Sequence, residues 1–550
     1  MTKKVINLIN WTSAITLGCL VFLLIVGPRV LDGTNIAWLT SGDPSTGYLG
    51  WEFFRHDQWR LPFALNPHYG LEVSSSIIYS DSNVLFAFIF KLFSVFLPEH
   101  FQYFGIWLLV CFVLQALFAW KLIGIISNNF FICLFGTCLF LFAPIFLWRL
   151  YGHYNLVGHF FILFSLYIIF KQNNSSGKWL WLCLIIGALL VHSYLAAMVI
   201  SLWIINIIIN LFNKKINYKI FFGEILIIFI LILITLWGAG YFSLSGRIAG
   251  GGYGVYCMNL LSLFNPNGGY PGGWSYILKP FPDCLGNYEG FNYLGLGGVF
   301  LLIWASFVYW QNRKELSVPK KYYPLCVLLF GFTLYAISTN ISFLNYKFEL
   351  IKLNIPLFEM FRASGRFFWP VFYMILFLCI LLIVKFYTRN KAIYILIVAA
   401  LFQIFDTHIA WSNFRDTFMK PRSTVWNTPL KDKFWEQAAL QYSKIRYIPT
   451  QNLFPEWVYF AKYAVDYNLE TDITYLARID ADKLNKIMQH NNAMITSGIF
   501  EKDTLYILQE QYSADVIKNI DTNKDFLGNV DGFYVLAPDW KILKGAIAEH

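Results

Sequence analysis

The chain has 550 residues, of which 57% are hydrophobic and 13% are charged, and its formal net charge at pH 7 is +10. Soluble domains carry roughly 25% charged residues, so this composition excludes an ordinary soluble enzyme and indicates a polytopic protein of the lipid bilayer. The lysines and arginines concentrate in short loops between apolar runs, where the positive-inside bias places them. The positive charge therefore implies no nucleic-acid partner.

Apolar segments define the predicted membrane domain. A membrane span requires ~20 apolar residues. No small-residue cleavage site follows the first apolar run, so we expect an uncleaved N-terminal span rather than a signal peptide. The predicted spans are 11–31, 103–124, 129–147, 156–171, 178–195, 196–212, 220–241, 294–310, 322–340, 367–386 and 391–408.

The segment 84–97 decides the predicted topology. It is short, carries Lys91 in its middle and ends at Pro98. If it crossed the membrane, every later basic loop would lie outside, against the positive-inside bias. As an amphipathic helix at the interface, it leaves those loops inside. We therefore predict eleven spans, with the N-terminus inside. The predicted outer segments are 32–102, 148–155, 242–293, 341–366 and 409–550.

The composition changes near residue 409. Charges then mix with aromatic residues and no run reaches the length of a span, so 409–550 is predicted to be one soluble α/β domain. Alternating stretches such as KIRYIPT, TLYILQE and GFYVLAP predict short strands. The predicted fold class is mainly α: a polytopic helical membrane domain over 1–408, with a large first outer loop at 32–102, followed by the α/β domain.

The outer loop 242–293 contains GRIAGGGYGVY and NPNGGYPGGW. Its glycines have neither the Lys-Ser/Thr of a Walker loop nor the strand-to-helix context of a Rossmann turn. The loop also holds Cys257 and Cys284, and the sequence leaves both alternatives for them, a disulfide or two free thiols. Two interpretations of the glycines remain: a flexible loop with glycine turns, or a mobile flap that stacks a sugar or lipid. In the second, the stacking faces would be Tyr253, Tyr256, Tyr270 and Trp274.

Two carboxylates of the first outer loop are candidate catalytic groups. Asp43 lies in SGDPSTGY, where Pro44 rigidifies the turn and would hold the side chain in place. Glycosyl transfer to a hydroxyl needs a base for the hydroxyl proton, and an Asp can serve. Asp81 precedes the interfacial helix, where it could either cap that helix or line the same pocket.

A second group of candidates lies in RLYGHYNLVGH. Arg149 could bind a phosphate because its guanidinium is always charged and fork-shaped. Ionisable groups at membrane depth are rare and usually face a cavity, which draws attention to His153 and His159. They are six residues apart, not the i, i+4 spacing of two metal ligands on one helix face, so we assign no metal ligands. For either histidine a structural hydrogen bond remains the alternative, and His192 in VHSY is expected nearby.

A third group lies in FRASGRFFW. Arg362 and Arg366 are four residues apart, so on a helix they would share one face and could clamp a phosphate or diphosphate. The alternative is interfacial anchoring together with Trp369, because arginines extend toward the interface there in any case. Two arginines on the outer side oppose the positive-inside bias, which favours anion binding.

Together these features resemble the GT-C superfamily, the polytopic glycosyltransferases that use lipid-linked phosphosugars. The strings YLGWEFF, NPHYG, SSIIYSDS, PEHFQYFGIW and FRASGRFFWP are similar to an uncharacterised bacterial branch of that superfamily. The similarity in the order of predicted spans and loops covers about residues 1–408. Asp43 matches the position of the acidic residue of the superfamily, and 84–97 matches its interfacial helix.

The resemblance implies an enzyme of the bacterial inner membrane with a periplasmic C-terminal domain. Its donor would be a polyprenyl-phosphate sugar, and its acceptor a hydroxyl of a surface glycan, glycolipid or protein. Asp43 would deprotonate the acceptor, which would invert the anomeric carbon. Arg149, Arg362 and Arg366 would stabilise the leaving phosphate. The resemblance implies no soluble cofactor. Because the first loop has no D-x-D motif, the resemblance does not decide whether the enzyme uses a divalent metal.

Two rival functions remain. An O-antigen polymerase or ligase would share the lipid-linked substrate and rely on arginines, so Arg362 and Arg366 keep it open. A lipid-linked sugar flippase or other transporter would also be polytopic, but it should show repeats and mid-membrane charges. This chain shows no internal repeat and keeps its charges at the outer boundary.

Overall fold

The computed structural model of the chain describes residues 3–171, 177–244, 248–249, 252–269, 273–351 and 355–542. The helices are α1 (Lys3–Ile25), α2 (Asp43–His56), α3 (Val84–Leu92), α4 (Phe104–Ile123), α5 (Phe130–Leu141), α6 (Pro144–Leu147), α7 (Phe160–Lys171), α8 (Gly177–Val191), α9 (Ser193–Phe212), α10 (Tyr218–Gly238), α11 (Gly295–Asn312), α12 (Tyr323–Ile337), α13 (Pro356–Met360), α14 (Trp369–Phe386), α15 (Arg389–Phe418), α16 (Lys433–Ala439), α17 (Trp457–Asp466), α18 (Ala481–Ser497) and α19 (Glu510–Asn519). The strands are β1 (Ile248–Ala249), β2 (Asn340–Phe343), β3 (Tyr346–Glu349), β4 (Lys444–Ile448), β5 (Glu470–Thr471), β6 (Ile479–Asp480), β7 (Thr504–Leu508), β8 (Phe526–Val530) and β9 (Phe533–Ala537).

The chain folds into two compact units, each made of three chain segments. Unit 1 comprises Met1–Gly33, Tyr103–Leu233 and Gly250–Pro421. Unit 2 comprises Thr34–Gln102, Ile234–Ala249 and Arg422–His550.

Apolar helices make the chain mainly helical, as predicted. Among the described residues, seven helices are long and apolar enough to cross a membrane, and an eighth counts if the bent pair Phe130–Leu141 and Pro144–Tyr151 forms one span. The three other predicted spans correspond to α8, α11 and α12, which are not among these candidate membrane helices. The number of eleven spans therefore stays a prediction. The seven helices are Leu8–Ile25, Phe104–Ile123, Tyr154–Lys171, Ser193–Phe212, Tyr218–Gly238, Ser364–Phe386 and Arg389–Phe418.

Close helix contacts organise unit 1. Helix α4 packs against α1, α5 and α7, and α11 packs against α14 and α15. The contact between α11 and α15 depends on Gly297, because a Cβ there would lie 2.1 Å from the Ala399 carbonyl oxygen. Small residues permit such backbone approach between membrane helices. The result is a helical body whose loops can place polar side chains at the helix ends.

A mixed sheet forms the core of unit 2. Its strand order is β5-β4-β7-β9-β8, with β4 parallel to β5 and β7, and with β9 antiparallel to both neighbours. Buried Ile448, Tyr506 and Leu536 pack there with residues of α18 and α19. The predicted α/β character of the tail is confirmed, and the three stretches predicted as strands are β4, β7 and β9.

The segment predicted as the first outer loop is part of unit 2. The Gly70 amide donates to the Thr471 carbonyl (2.7 Å), and the Thr471 amide donates to the His68 carbonyl (3.0 Å). A further backbone bond joins the Ala477 amide to the Tyr79 carbonyl at 2.7 Å. Residues 34–102 therefore fold with the tail as one compact body.

The segment 84–97 is helical, as expected for an interfacial helix. It consists of α3 and a single 3-10 turn, Ser94–Phe96, with large exposed apolar side chains such as Leu92, Val95 and Phe96. Asn83 caps α3, since its side chain accepts from the Phe86 amide at 3.2 Å. The predicted cap, Asp81, instead ends the 3-10 helix Ile77–Ser80 with φ 59°. Of the two roles left open for Asp81, the cap of α3 is therefore filled by Asn83, and the role in a pocket stays a prediction.

Candidate functional site

A buried carboxylate held by two arginines forms a charge cluster in unit 1. Glu289 lies in a 3-10 turn, Asn287–Gly290, shortly before α11. Its Oε2 accepts from Arg149 Nη1 (2.8 Å) and Arg366 Nε (2.9 Å), and its Oε1 accepts from Arg366 Nη2 (2.7 Å). We call Glu289, Arg149, Arg366 and the neighbouring His153 the Glu289 cluster.

Two backbone segments meet tightly and align this cluster. A Cβ on Gly365 would lie 2.4 Å from Gly290 Cα, so the loop carrying Glu289 approaches the turn carrying Arg366 as only glycine permits. Asn292 Nδ2 bridges the two segments by donating to the carbonyls of Gly290 (2.9 Å) and Gly365 (3.2 Å). The carboxylate is thereby fixed between its partners.

The cluster is almost entirely withdrawn from solvent. Arg149, Glu289 and Arg366 are 1%, 6% and 7% exposed. Burial alone would raise the pKa of Glu289, but Arg366 and Arg149 outweigh it and hold that pKa well below its usual range. Two guanidiniums and one carboxylate leave one net positive charge on these three side chains. The cluster can therefore still attract an anion.

Aromatic rings hold the guanidiniums from the other side. Arg149 lies over the rings of Trp148 (4.2 Å) and Trp369 (4.9 Å), and Arg366 lies over Tyr194 (4.7 Å). Such contacts stabilise a cation most where water is excluded. The arginine positions are thus set by packing as well as by charge.

Three buried nitrogens around the Trp369 ring have no hydrogen-bond partner among the described residues: Arg149 Nε, His159 Nε2 and Trp369 Nε1. The His159 ring packs on that indole at 4.3 Å, and its Nδ1 lies 2.7 Å from the Tyr373 hydroxyl. Because that hydroxyl accepts from Gln115 (3.0 Å), it can donate to Nδ1 and place the His159 proton on Nε2. All three nitrogens are then donors, which suits an oxygen-rich ligand.

His153 and His192 are the two other histidines predicted for the site. His153 Nε2 lies 3.6 Å from Glu289 Oε1, and the His153 side chain is 32% exposed. His192 is half-buried and caps α9, its Nδ1 accepting from the Tyr194 amide at 3.2 Å. The Tyr194 hydroxyl accepts from the Ala363 amide (2.8 Å), which links α9 to the FRASGRFFW segment. His192 thus has a structural contact at the start of α9, and the substrate-binding role given to it stays a prediction.

Arg362 and Arg366 do not share a helix face, so that prediction is wrong. Arg362 lies in irregular chain before the 3-10 helix Ser364–Phe368, which carries Arg366. Arg362 is half-buried and lies 5.4 Å from the centre of the Tyr256 ring. The structure brings Arg149 and Arg366 together on Glu289 and gives Arg362 a different neighbour.

Both catalytic candidates from the first loop lie in unit 2. Asp43 is the exposed first residue of α2 and is followed by Pro44 in the first turn of that helix. A carboxylate there interacts favourably with the helix dipole. Asp81 is half-buried, with the left-handed backbone described above. The roles assigned to both stay predictions.

The glycine-rich loop is partly packed. Trp274 is buried against Phe291 (5.3 Å), so it offers no open stacking face. Tyr253 contacts Phe358 at 4.9 Å, while Tyr270 lies outside the described residues. Cys257 and Cys284 are both free thiols.

Sequence reasoning missed Glu289, the residue that joins the predicted arginines. Its one sequence signal is that it and Asp283 are the two acidic residues of the outer loop 242–293. It also missed the hydrogen-bonded pair Tyr373 and Gln115, both within apolar helices. Within the described ranges, no group of three His, Cys, Asp or Glu side chains could hold a metal ion.

Comparison with known families gives two matches. The family described as a domain of unknown function, DUF6311, matches residues 15–408. The DUF6311 C-terminal domain matches residues 434–538, which include the sheet of unit 2. No curated protein and no solved structure matches the chain.

Proposed function

This chain belongs to the DUF6311 family, and we propose that it is a membrane glycosyltransferase that transfers a sugar from a polyprenyl-phosphate-linked donor to a hydroxyl of a surface glycan or glycolipid. Its several apolar helices support a substrate presented by the bilayer. The resemblance to the GT-C superfamily supports the reaction class. The proposed setting is the bacterial inner membrane, with eleven spans, the N-terminus in the cytoplasm and the C-terminal domain in the periplasm.

The observation that carries the proposal is the set of three buried donors around Trp369. A leaving phosphate gains negative charge as the glycosidic bond breaks, and donors fixed in advance stabilise that charge without reorganisation. Arg149 Nε, His159 Nε2 and Trp369 Nε1 have the required polarity and burial. The net positive charge of the Glu289 cluster adds attraction in the same region.

Glu289 itself is a poor proton acceptor. A general base works best when its pKa lies near the operating pH, and the pKa of Glu289 is held far below that by its arginines. We assign it the positioning of Arg149 and Arg366. Asp43, in unit 2, keeps its proposed role as the base.

The proposed reaction is a single displacement. Asp43 takes the proton of the acceptor hydroxyl, whose oxygen forms a bond to the anomeric carbon. The bond between that carbon and the phosphate oxygen breaks, and the polyprenyl phosphate leaves with the electron pair. The anomeric carbon is inverted.

A polymerase or ligase of lipid-linked glycans is the second candidate. It is favoured by the two buried arginines, which would act on the diphosphate of a larger lipid-linked donor. The two candidates differ in product: transfer of one sugar adds the mass of one residue, whereas polymerisation or ligation changes the chain in whole repeat units.

The test uses a strain that lacks the gene, complemented with wild type, Asp43→Asn, Trp369→Phe or Trp181→Phe at equal protein level. Trp181 is the matched control because its indole N–H is also buried without a partner among the described residues. The measurement is the mass spectrum of surface glycans and lipid-linked sugars.

We expect a gap of one sugar residue that wild type and Trp181→Phe restore. Asp43→Asn should leave the gap, and Trp369→Phe should restore it only partly, since one lost transition-state donor costs roughly 100-fold in rate. Full rescue by Asp43→Asn would remove Asp43 as the base. Full rescue by Trp369→Phe would remove the donor site, and a strain without a mass gap would overturn the transferase.

A further inference from the structure

A cavity of about 320 Å³ lies in unit 2, on one face of α18. The helix contributes Lys483, Lys486, Ile487 and His490, which repeat at the three- and four-residue spacing of a single helix face. Arg446 of β4 and Glu72 of the first loop complete the lining. We call it the α18 cavity.

Lys483 and Lys486 make one face of the cavity positive. The third cation of the lining, Arg446, is already paired with Glu72 and lies 3.7 Å from Asp472 and 3.6 Å from Glu501, so the two lysines are the charge left to a ligand. Lys486 and His490 are exposed and Lys483 is half-buried, so these side chains can reach a ligand from solvent. A small ligand with two negative charges would balance this excess.

Arg446 and Glu72 form a rigid wall. Arg446 Nη1 and Nη2 donate to Glu72 Oε2 (3.0 Å) and Oε1 (2.7 Å) in a two-pronged pair. Behind them, Arg446 Nη1 lies 3.7 Å from buried Asp472, which accepts from the Thr450 hydroxyl at 2.8 Å. Asn491 of α18 donates to that same hydroxyl (2.9 Å), so the helix and the strand are tied together.

The floor is apolar. Ile487 is buried and packs with Val73 and Ile479. An apolar floor beneath a ring of cations suits a ligand with an anionic group and a carbon face, such as a phosphorylated sugar. The volume is at the lower end of the roughly 300–1,000 Å³ typical of small-molecule sites, larger than a lone phosphate needs.

We propose that the α18 cavity binds a phosphate group carried by a small molecule, with Lys483 and Lys486 as the principal contacts. Lysine ammonium groups bind phosphate as mobile point charges, and they need no fixed fork geometry. This proposal does not depend on the glycosyltransferase. The phosphate could belong to inorganic phosphate, a sugar phosphate or a phospholipid headgroup.

The experiment uses the purified full chain in detergent and measures binding by isothermal titration calorimetry. The probes are inorganic phosphate, glucose 6-phosphate and unphosphorylated glucose, at fixed ionic strength. A separate arm measures co-sedimentation with phosphatidylcholine vesicles, with and without phosphatidic acid. Tighter binding of glucose 6-phosphate than of phosphate identifies a sugar phosphate, equal binding identifies free phosphate, and binding only to phosphatidic acid identifies a lipid headgroup. Failure of all three phosphate probes overturns the proposal.

Three variants test the location. Lys483→Gln/Lys486→Gln should weaken binding at least tenfold, whereas the control Lys518→Gln/Lys524→Gln removes the same charge from exposed positions outside the cavity and should bind like wild type. Glu72→Gln should strengthen binding several-fold, because it removes the one carboxylate of the cavity lining. Wild-type affinity in Lys483→Gln/Lys486→Gln, or an equal loss in the control, would overturn the assignment, as would weaker binding by Glu72→Gln.

Discussion

Glu289→Gln should destabilise the folded protein strongly although it keeps the size and shape of the side chain. Glu289 makes three charge-assisted hydrogen bonds of 2.7–2.9 Å to Arg149 and Arg366, which are 1% and 7% exposed. Removing one partner of a buried ion pair costs about 3–5 kcal/mol, because the remaining charge stays buried without compensation. The glutamine oxygen still accepts one bond, so we expect about 3 kcal/mol.

The assay is thermal and denaturant unfolding of the purified chain in detergent, followed by tryptophan fluorescence. The matched control is Glu315→Gln, an exposed position of unit 1 where substitutions usually stay within about 0.5 kcal/mol of wild type. The pKa of Glu289 is depressed in the folded protein. Its stabilisation is therefore fully present above the unfolded pKa of about 4.3 and is lost as the pH falls through the lower folded pKa.

The pH dependence is measured with His153, which lies 3.6 Å from Glu289 Oε1, replaced by Gln in both proteins. In that background the stability difference caused by Glu289→Gln should stay constant from about pH 5 to 8 and shrink only in stronger acid. Two results would refute this reasoning. One is a Glu289→Gln protein as stable as the Glu315→Gln control. The other is a difference that changes between about pH 5 and 8, because the carboxylate would then be titrating within that range.

Two further predictions concern unit 2. Burial raises the pKa of Asp472 to about 6, although Arg446 opposes the shift. Protonated Asp472 therefore stabilises the folded protein by roughly 3 kcal/mol below about pH 3.8, and this stabilisation is lost as the pH rises through about 6. Hydrogen exchange of the Tyr447 amide, which donates to Asp472 at 2.9 Å, should report this loss in wild type and not in Asp472→Asn; identical profiles would contradict it. Asn83→Ala should cost about 1–2 kcal/mol, since it removes the cap of α3 at a left-handed φ of 53°. Hydrogen exchange of the α3 amides measures the loss of helix stability, and Asp81→Asn should leave that exchange unchanged. If the two substitutions had equal effects, Asp81 rather than Asn83 would be the cap.

Hydrophobicity predicted the helices well because burial of the backbone in lipid leaves few alternatives to a helix. The strand predicted from TLYILQE is β7, but the alternation did not mark an open face, because all five of its residues are buried, as is typical of a central strand covered on both sides. The end of α15 was missed, since the helix continues to Phe418 through a polar stretch that hydropathy assigns to the tail.

The site was predicted only in pieces. Arg149, His159 and Arg366 were identified because charged and ionisable residues are conspicuous among apolar neighbours. Their assembly was not predictable, because Glu289 is 140 residues from Arg149 and 77 from Arg366 and lies in a loop without periodicity. The prediction for Arg362 and Arg366 failed for a related reason. It assumed a continuous helix, but the chain at Arg362 is irregular, so the four-residue spacing does not place the two arginines on one face.

The long sequence separations within the Glu289 cluster have a consequence for biogenesis. The ribosome makes Arg149 well before Glu289, and Arg366 last, so the ion pairs cannot form until most of the helical unit has been synthesised. During that interval Arg149 is an uncompensated cation at a helix end, and its cost in hydrocarbon keeps that end at the aqueous boundary. We therefore expect the arginine to act first as a stop during insertion, and to become a buried partner of Glu289 only when the later loop arrives.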